Sequence, residues 1–158
     1  MKKILIQIMI ITILFFFAGC ASKPAVQKTE EKPKPETKTQ INLDDLRFKF
    51  EFSGFKLGSS NIDEIKSQIL KVENQLISKI SAVPTEYKIK VIGHTCKYGQ
   101  EQRNIELSRE RAENFVNFIS SKYNFSKNRF EIISKGSQEL KNPVKPYSKE
   151  NRRVEIVF

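Results

Sequence analysis

The 158-residue chain is predicted to fold as an α/β sandwich in which a sheet is covered on one face by two helices. Four short segments carry β-type alternation or β-branched residues, and two longer stretches carry apolar residues at helical spacing. Their order along the chain is βαβαββ, the alternation that places helices over a sheet.

The first strand is the clearest. Leu46, Phe48, Phe50 and Phe52 alternate with Arg47, Lys49 and Glu51, the period of two that a half-buried strand requires. A turn region over residues 54–60 follows. Asn61 then precedes Glu64 by three positions, as in a capping box, and Ile62, Ile65, Ile69, Val72, Leu76 and Ile80 form one helical stripe. Helix one is therefore expected to run to about Ile80. Pro84 ends that pattern, and Tyr87 to Ile92 is β-rich, with Ile89 and Val91 on one face and Gly93 at its end. Between Gln100 and Tyr123, the residues Leu107, Ala112, Phe115, Val116, Ile119 and Tyr123 mark a second, longer helix. Phe130 to Ser134 and Arg153 to Phe158 are the last two strands. In the final one Val154, Ile156 and Phe158 face the core, and Arg153, Glu155 and Val157 alternate outward.

The amino-terminal part has a different composition. Lys2 and Lys3 precede an apolar run from Ile4 to Ala18 broken only by Gln7 and Thr12. At about fifteen residues this run is shorter than the roughly 18 to 20 that span a bilayer, and small residues follow it, so it reads as a signal peptide. The stretch Phe17-Ala18-Gly19-Cys20 resembles a bacterial lipobox, with Phe17 where leucine is usual. The resemblance implies acylation of Cys20, cleavage before it, and a mature chain starting there. Several acyl chains contribute about 0.8 kcal/mol per buried methylene, which makes stable anchoring possible. Ala21 resembles the outer-membrane sorting choice of envelope lipoproteins.

Residues 20–40 are then the lipidated cysteine and a linker of Lys, Pro, Glu and Thr with too little apolar surface to fold. Pro24, Pro33 and Pro35 favour an extended arm that reaches on the order of 60 Å at about 3.1 Å per residue. Residues 41–158 have the size of one domain with a single core. Subtracting the two lysines of the leader from 28 basic residues leaves 26 against 18 acidic ones, a net charge of +8 for the mature chain. Such a surface favours anionic partners. An export signal and the lack of a nucleic-acid-binding motif argue against nucleic acid and towards cell-wall carboxylates or anionic head groups. With Cys20 lipidated, Cys96 has no intramolecular partner, so no disulfide framework is available.

From Val91 the chain reads VIGHTCKYGQEQRNIELSRERAENFVNFI, and it ends NRRVEIVF. Gly93, His94, Thr95, Gly99, Asn104, Leu107, Ser108, Arg111, Ala112, Asn151, Arg152 and Arg153 resemble, in kind and spacing, the pattern of the OmpA-like domain family. That family includes peptidoglycan-associated lipoproteins, the carboxy-terminal domains of outer-membrane porin-like proteins and flagellar stator proteins. The resemblance implies a mixed sheet and a cleft between the loop after strand two and the start of helix two that holds the peptide stem of peptidoglycan. It implies a peptidoglycan-binding set of Ser53, His94, Thr95, Cys96, Asn104, Leu107, Ser108, Arg111, Arg152 and Arg153, with no cofactor and no catalytic role. Arg111 takes the place of the family arginine that binds the ligand carboxylate, a role suited to a planar, bidentate guanidinium.

Cys96 stands where the family has the aspartate that pairs with the diaminopimelate ammonium, and a thiol supplies no carboxylate. Three readings stay open: wall binding through backbone groups and Arg111, a preference for a peptide with a different third residue, or loss of wall binding. In the last case the domain becomes an envelope protein-interaction module, with Tol-like or other partners. His94 and Cys96 suggest a nucleophile with its base or a metal pair, but no third group is at hand, so neither an enzyme nor a metal site is expected. Lys97 beside Cys96 also raises a thiol-reactive sensor as an idea.

Overall fold

The computed structural model describes residues 48–158. The leader, Cys20, the linker over 20–40 and the start of strand one at Leu46 lie outside the described residues. Four strands and three helices make up the domain: β1 (Lys49–Ser53), α1 (Asp63–Lys71), α2 (Glu73–Ala82), β2 (Ile89–Gly93), α3 (Glu101–Tyr123), β3 (Phe130–Ser134) and β4 (Arg153–Val157). The sheet order is β1-β4-β2-β3. β4 runs antiparallel to both neighbours, and β2 and β3 are parallel across the crossover made by α3. The sheet is therefore mixed, and the order βαβαββ holds once α1 and α2 are taken together.

The predicted first helix is two segments. At Val72 the backbone leaves helical geometry (φ −113°, ψ 15°) and its amide bonds to the Ile69 and Leu70 carbonyls. Apolar spacing is preserved across the bend, with Ile65 and Ile69 buried on one side and Leu76 and Ile80 on the other, which is why the pattern reads as continuous. The expected capping box also resolves differently. Asn61 Oδ1 accepts from the Asp63 amide at 3.0 Å, but the Glu64 carboxylate turns away to the Lys56 amide at 2.7 Å and the Ser59 hydroxyl at 3.0 Å. Glu64 thus shapes the β1–α1 connection.

One face of the sheet carries Phe50, Phe52, Ile89, Val91, Val154 and Ile156 into the core, against Ile65, Ile69, Leu76, Ile80, Phe115 and Ile119 from the helices. Burying large apolar side chains of this kind contributes about 1.5 to 3 kcal/mol each. On α3 the buried positions are 104, 107, 108, 111, 112, 115, 116, 119 and 120, a stripe of i, i+3 and i+4 neighbours. Its first part is polar, and that part borders the cleft described below.

Arg153 and Glu155 alternate to the second face of the sheet as expected for β4, but they are not exposed there. Arg153 and Glu155 are 5% and 7% exposed. Glu51 and Glu155 lie opposite each other in register, which would be unfavourable alone, but Lys49 reaches Glu155 at 3.0 Å and Arg153 meets it at 2.8 Å. Lys141 pairs with Glu51, and Arg153 also donates to the Glu139 carbonyl at 3.2 Å. The long connection before β4 thus closes over this part of the second face, a tertiary event that strand periodicity cannot register.

Where α3 crosses β2 there is no space for a side chain. A Cβ on Gly93 would lie 1.8 Å from the Ser108 carbonyl oxygen. Gly93→Ala is predicted to destabilise the domain by about 3 kcal/mol or more, since backbone must move to relieve the overlap. Urea denaturation of the variant against the native chain measures it.

Candidate functional site

The turn from β2 into α3 has to reverse direction while staying close to the sheet. Thr95 donates its amide to the Gly136 carbonyl at 2.7 Å and Lys97 to the Pro146 carbonyl at 3.0 Å, so the later β3–β4 connection holds it at two points. Gly99 completes the turn with φ +87°, a conformation that side chains disfavour. α3 then starts at Glu101 with Gln100 as N-cap and no side-chain cap. The β1–α1 connection lies opposite, and between the two is a cleft of about 370 Å³.

Six of the ten residues proposed from the motif line this cleft: Thr95, Cys96, Asn104, Leu107, Arg111 and Arg152. Arg111 is fully buried. Its Nε donates to the Ser59 carbonyl at 2.8 Å, Nη1 to the His94 carbonyl at 2.8 Å and Nη2 to the Lys56 carbonyl at 3.3 Å, while Phe55 stacks 4.8 Å from the guanidinium carbon. Burial lowers its pKa to about 10, with the Arg152 charge acting in the same direction, so it stays protonated at neutral pH. Arg152 reaches in from the start of β4. Its Nε donates to the Phe55 carbonyl at 2.6 Å and its Nη1 to the Tyr147 carbonyl at 3.0 Å, and Nη1 lies 3.9 Å from Cys96 Sγ. Among the described residues neither guanidinium has a carboxylate partner.

Two buried polar groups on the cleft wall lack partners among the described residues: Asn104 Nδ2 and Thr95 Oγ1, in side chains 5% and 1% exposed. Unsatisfied buried donors are uncommon and costly. Cys96 is 1% exposed, and a buried thiol is a poor candidate for the reactive sensor considered above.

The other four residues lie outside the cleft lining. Ser53 exchanges backbone hydrogen bonds with the Gln68 side-chain amide at 3.2 and 2.6 Å. Ser108 donates its hydroxyl to the Ile105 carbonyl at 2.8 Å and accepts from the Gly136 amide at 3.0 Å. Arg153 belongs to the ion pairs on the second sheet face. His94 turns its ring towards that face too, with Nε2 3.7 Å from Glu155. Three consecutive residues at the end of the chain thus divide their work. Asn151 ties the preceding loop to itself, donating to the Asn142, Lys145 and Pro146 carbonyls, Arg152 enters the cleft, and Arg153 points to the opposite face. The cleft also recruits Leu57, Gly58, Tyr98, Gln100 and Arg103, which no motif position signalled.

A family model described as OmpA family matches residues 54–155. The chain belongs to the OmpA family. Outer membrane protein A of Bordetella avium is 28% identical over 141 residues, covering 87% of this chain and 66% of that protein, so the chain spans slightly under two thirds of that relative's length. Among solved structures, the OmpA-like domain of FopA1 from Francisella tularensis superposes with a TM-score of 0.57 at 12% identity, over 70% of each chain. The peptidoglycan-associated lipoprotein of Burkholderia pseudomallei gives 0.55 at 20% identity, over 68% of this chain and 87% of that one. The carboxy-terminal domain of Helicobacter pylori MotB gives 0.52 at 23%, over 68% and 83%. At these identities the likeness is one of fold, and it is the OmpA-like fold that the motif implied.

His94, the one histidine of the chain, provides a pH test of this geometry. Burial pushes its imidazole from 6.5 down to about 4; Arg153 acts the same way, and Glu155 opposes. Burial alone would raise the Glu155 carboxyl, but hydrogen bonds from Lys49 and Arg153 outweigh it and hold that group below its ordinary value. An unfolded chain therefore takes up a proton at His94 that the folded chain refuses, so stability falls as pH drops from 6.5 towards 4. The loss assignable to His94 is predicted to be on the order of 3 kcal/mol. Denaturation midpoints across this range, compared with His94→Gln, should show a shallower decline in the variant.

Proposed function

We propose that this protein is an outer-membrane lipoprotein that binds peptidoglycan noncovalently and tethers the membrane to the cell wall. On this reading residues 1–19 are the signal peptide, Cys20 carries the acyl chains, residues 20–40 form the Lys/Pro/Glu-rich arm, and residues 41–158 are the OmpA-like domain in the periplasm. The role is binding, with no catalytic step.

The observation that carries the proposal is the polarity of the cleft. Arg111 and Arg152 bring two positive charges without carboxylate partners among the described residues, and Asn104 adds a buried donor with nothing to bond. Such groups are costly in isolation and gain when an anion with acceptor oxygens enters. Stem peptides of the wall present carboxylates and amide carbonyls of this kind. Membership of the OmpA family and the fold shared with a peptidoglycan-associated lipoprotein support the same ligand. Each domain needs only modest affinity, because many anchored copies facing a polymeric wall act together.

Asn104 offers a test that separates binding from folding. Its Nδ2 makes no hydrogen bond among the described residues, and alanine is the better helix former, so Asn104→Ala should leave stability unchanged or raise it by up to about 1 kcal/mol. Co-sedimentation of the full chain with purified sacculi should weaken about tenfold, the effect of losing roughly one hydrogen bond to a charged or strongly polar ligand. If neither native nor variant protein sediments, while native protein captures envelope proteins from solubilised membranes, the interaction module displaces the tether.

A further inference from the structure

We propose that the cleft reads the carboxylate of a peptide residue whose side chain carries no ammonium group, and that Cys96 sets this preference. The inference deepens the wall-binding reading and rests on it.

The charges lining the cleft are all of one sign. Arg103, Arg111 and Arg152 line it, and among the described residues no aspartate or glutamate does. Arg103 is engaged outward, at 3.3 Å from Glu106 and 2.9 Å from Glu110, whereas Arg111 and Arg152 have no carboxylate partner among the described residues. Beside Arg152 in the cleft lining lies the Cys96 thiol, 3.9 Å from Nη1. A thiol offers an ammonium neither a formal charge nor a strong acceptor. An ammonium placed there would meet two guanidiniums in a partly desolvated site, where like charges repel far more strongly than in water.

A carboxylate meets the opposite situation. Arg152 Nη2 makes no hydrogen bond among the described residues, so it can donate to one oxygen. The first turn of α3 borders the cleft through Gln100, Arg103 and Asn104, and no side chain caps it, leaving amide donors and the positive end of a 23-residue helix for an anion. Asn104 Nδ2 and Thr95 Oγ1, buried and unpartnered, supply bonds for the adjoining peptide group. Leu57 and Tyr98, 51% and 60% exposed, stand at the mouth, where they suit a small apolar side chain next to the carboxylate.

The test uses the full native chain in detergent micelles and three probes: acetyl-Ala-Lys with a free carboxylate and free ε-ammonium, its Nε-acetyl form, and the Nε-acetyl form with a carboxy-terminal amide. Calorimetric titration should find the Nε-acetyl acid about tenfold tighter than the free-amine peptide, and the amide weaker by a similar factor. Cys96→Asp should invert the amine preference, and Cys96→Ser, neutral and of similar size, should keep it. Equal or tighter binding of the free-amine peptide by the native chain overturns the inference, as does failure of all three probes with protein that still sediments with sacculi. In those cases wall binding itself stands; loss of sedimentation as well would remove both.

Discussion

The buried guanidinium of Arg111 is the contact through which the cleft exists at all. Three of its N–H groups go to carbonyls from separate stretches of chain, Lys56 and Ser59 in the β1–α1 connection and His94 at the end of β2. The Lys56 carbonyl also accepts from the Ser59 amide at 3.2 Å, and a single planar side chain with donors fixed in a fork can reach all three carbonyls together. A lysine, with one point charge, could not. Burying a full charge against neutral carbonyls only partly offsets its lost hydration, so the same residue that assembles the site also leaves it electrostatically incomplete.

Close approach of α3 to the sheet makes this geometry possible. Gly93 lets the Ser108 carbonyl lie against β2, and Arg111 projects from the next turn of the same helical stripe. Ser108 itself accepts from the Gly136 amide, joining the β3–β4 connection to the assembly. That connection then contributes the carbonyls of Gly136 and Pro146, which hold the turn after β2. Cleft, helix and long loop are therefore joined by the same hydrogen bonds, with the cleft at the end of β2.

The reverse face pairs its charges among themselves. Lys49, Lys141 and Arg153 neutralise Glu51 and Glu155, and His94 is kept neutral beside them. Arg152 and Arg153, adjacent in sequence, thus end in opposite electrostatic settings: one among carbonyls and a thiol facing a cleft, the other inside a saturated ion-pair network. The contrast leaves Arg152 without a carboxylate partner among the described residues while its neighbour Arg153 is fully paired.

Much of the domain was legible beforehand. Strict alternation placed β1 and β4, β-branched residues placed β2 and β3, and the stripe from Leu107 to Ile119 placed α3, because periodicity directly records which face is buried. The spacing of the Gly93 to Arg111 segment and the closing Asn-Arg-Arg likewise identified the family and six of the residues that converge on the cleft. What the linear pattern could not carry was the direction of each side chain once loops had closed. It missed the bend at Val72, where apolar spacing continues unbroken, and the burial of Arg153 and Glu155, which a loop distant in sequence covers. The division among Ser53, His94, Ser108 and Arg153 on one side and Leu57, Tyr98 and Arg103 on the other also waited for tertiary structure, since a cleft between two loops is defined by long-range hydrogen bonds that leave no periodic trace in either.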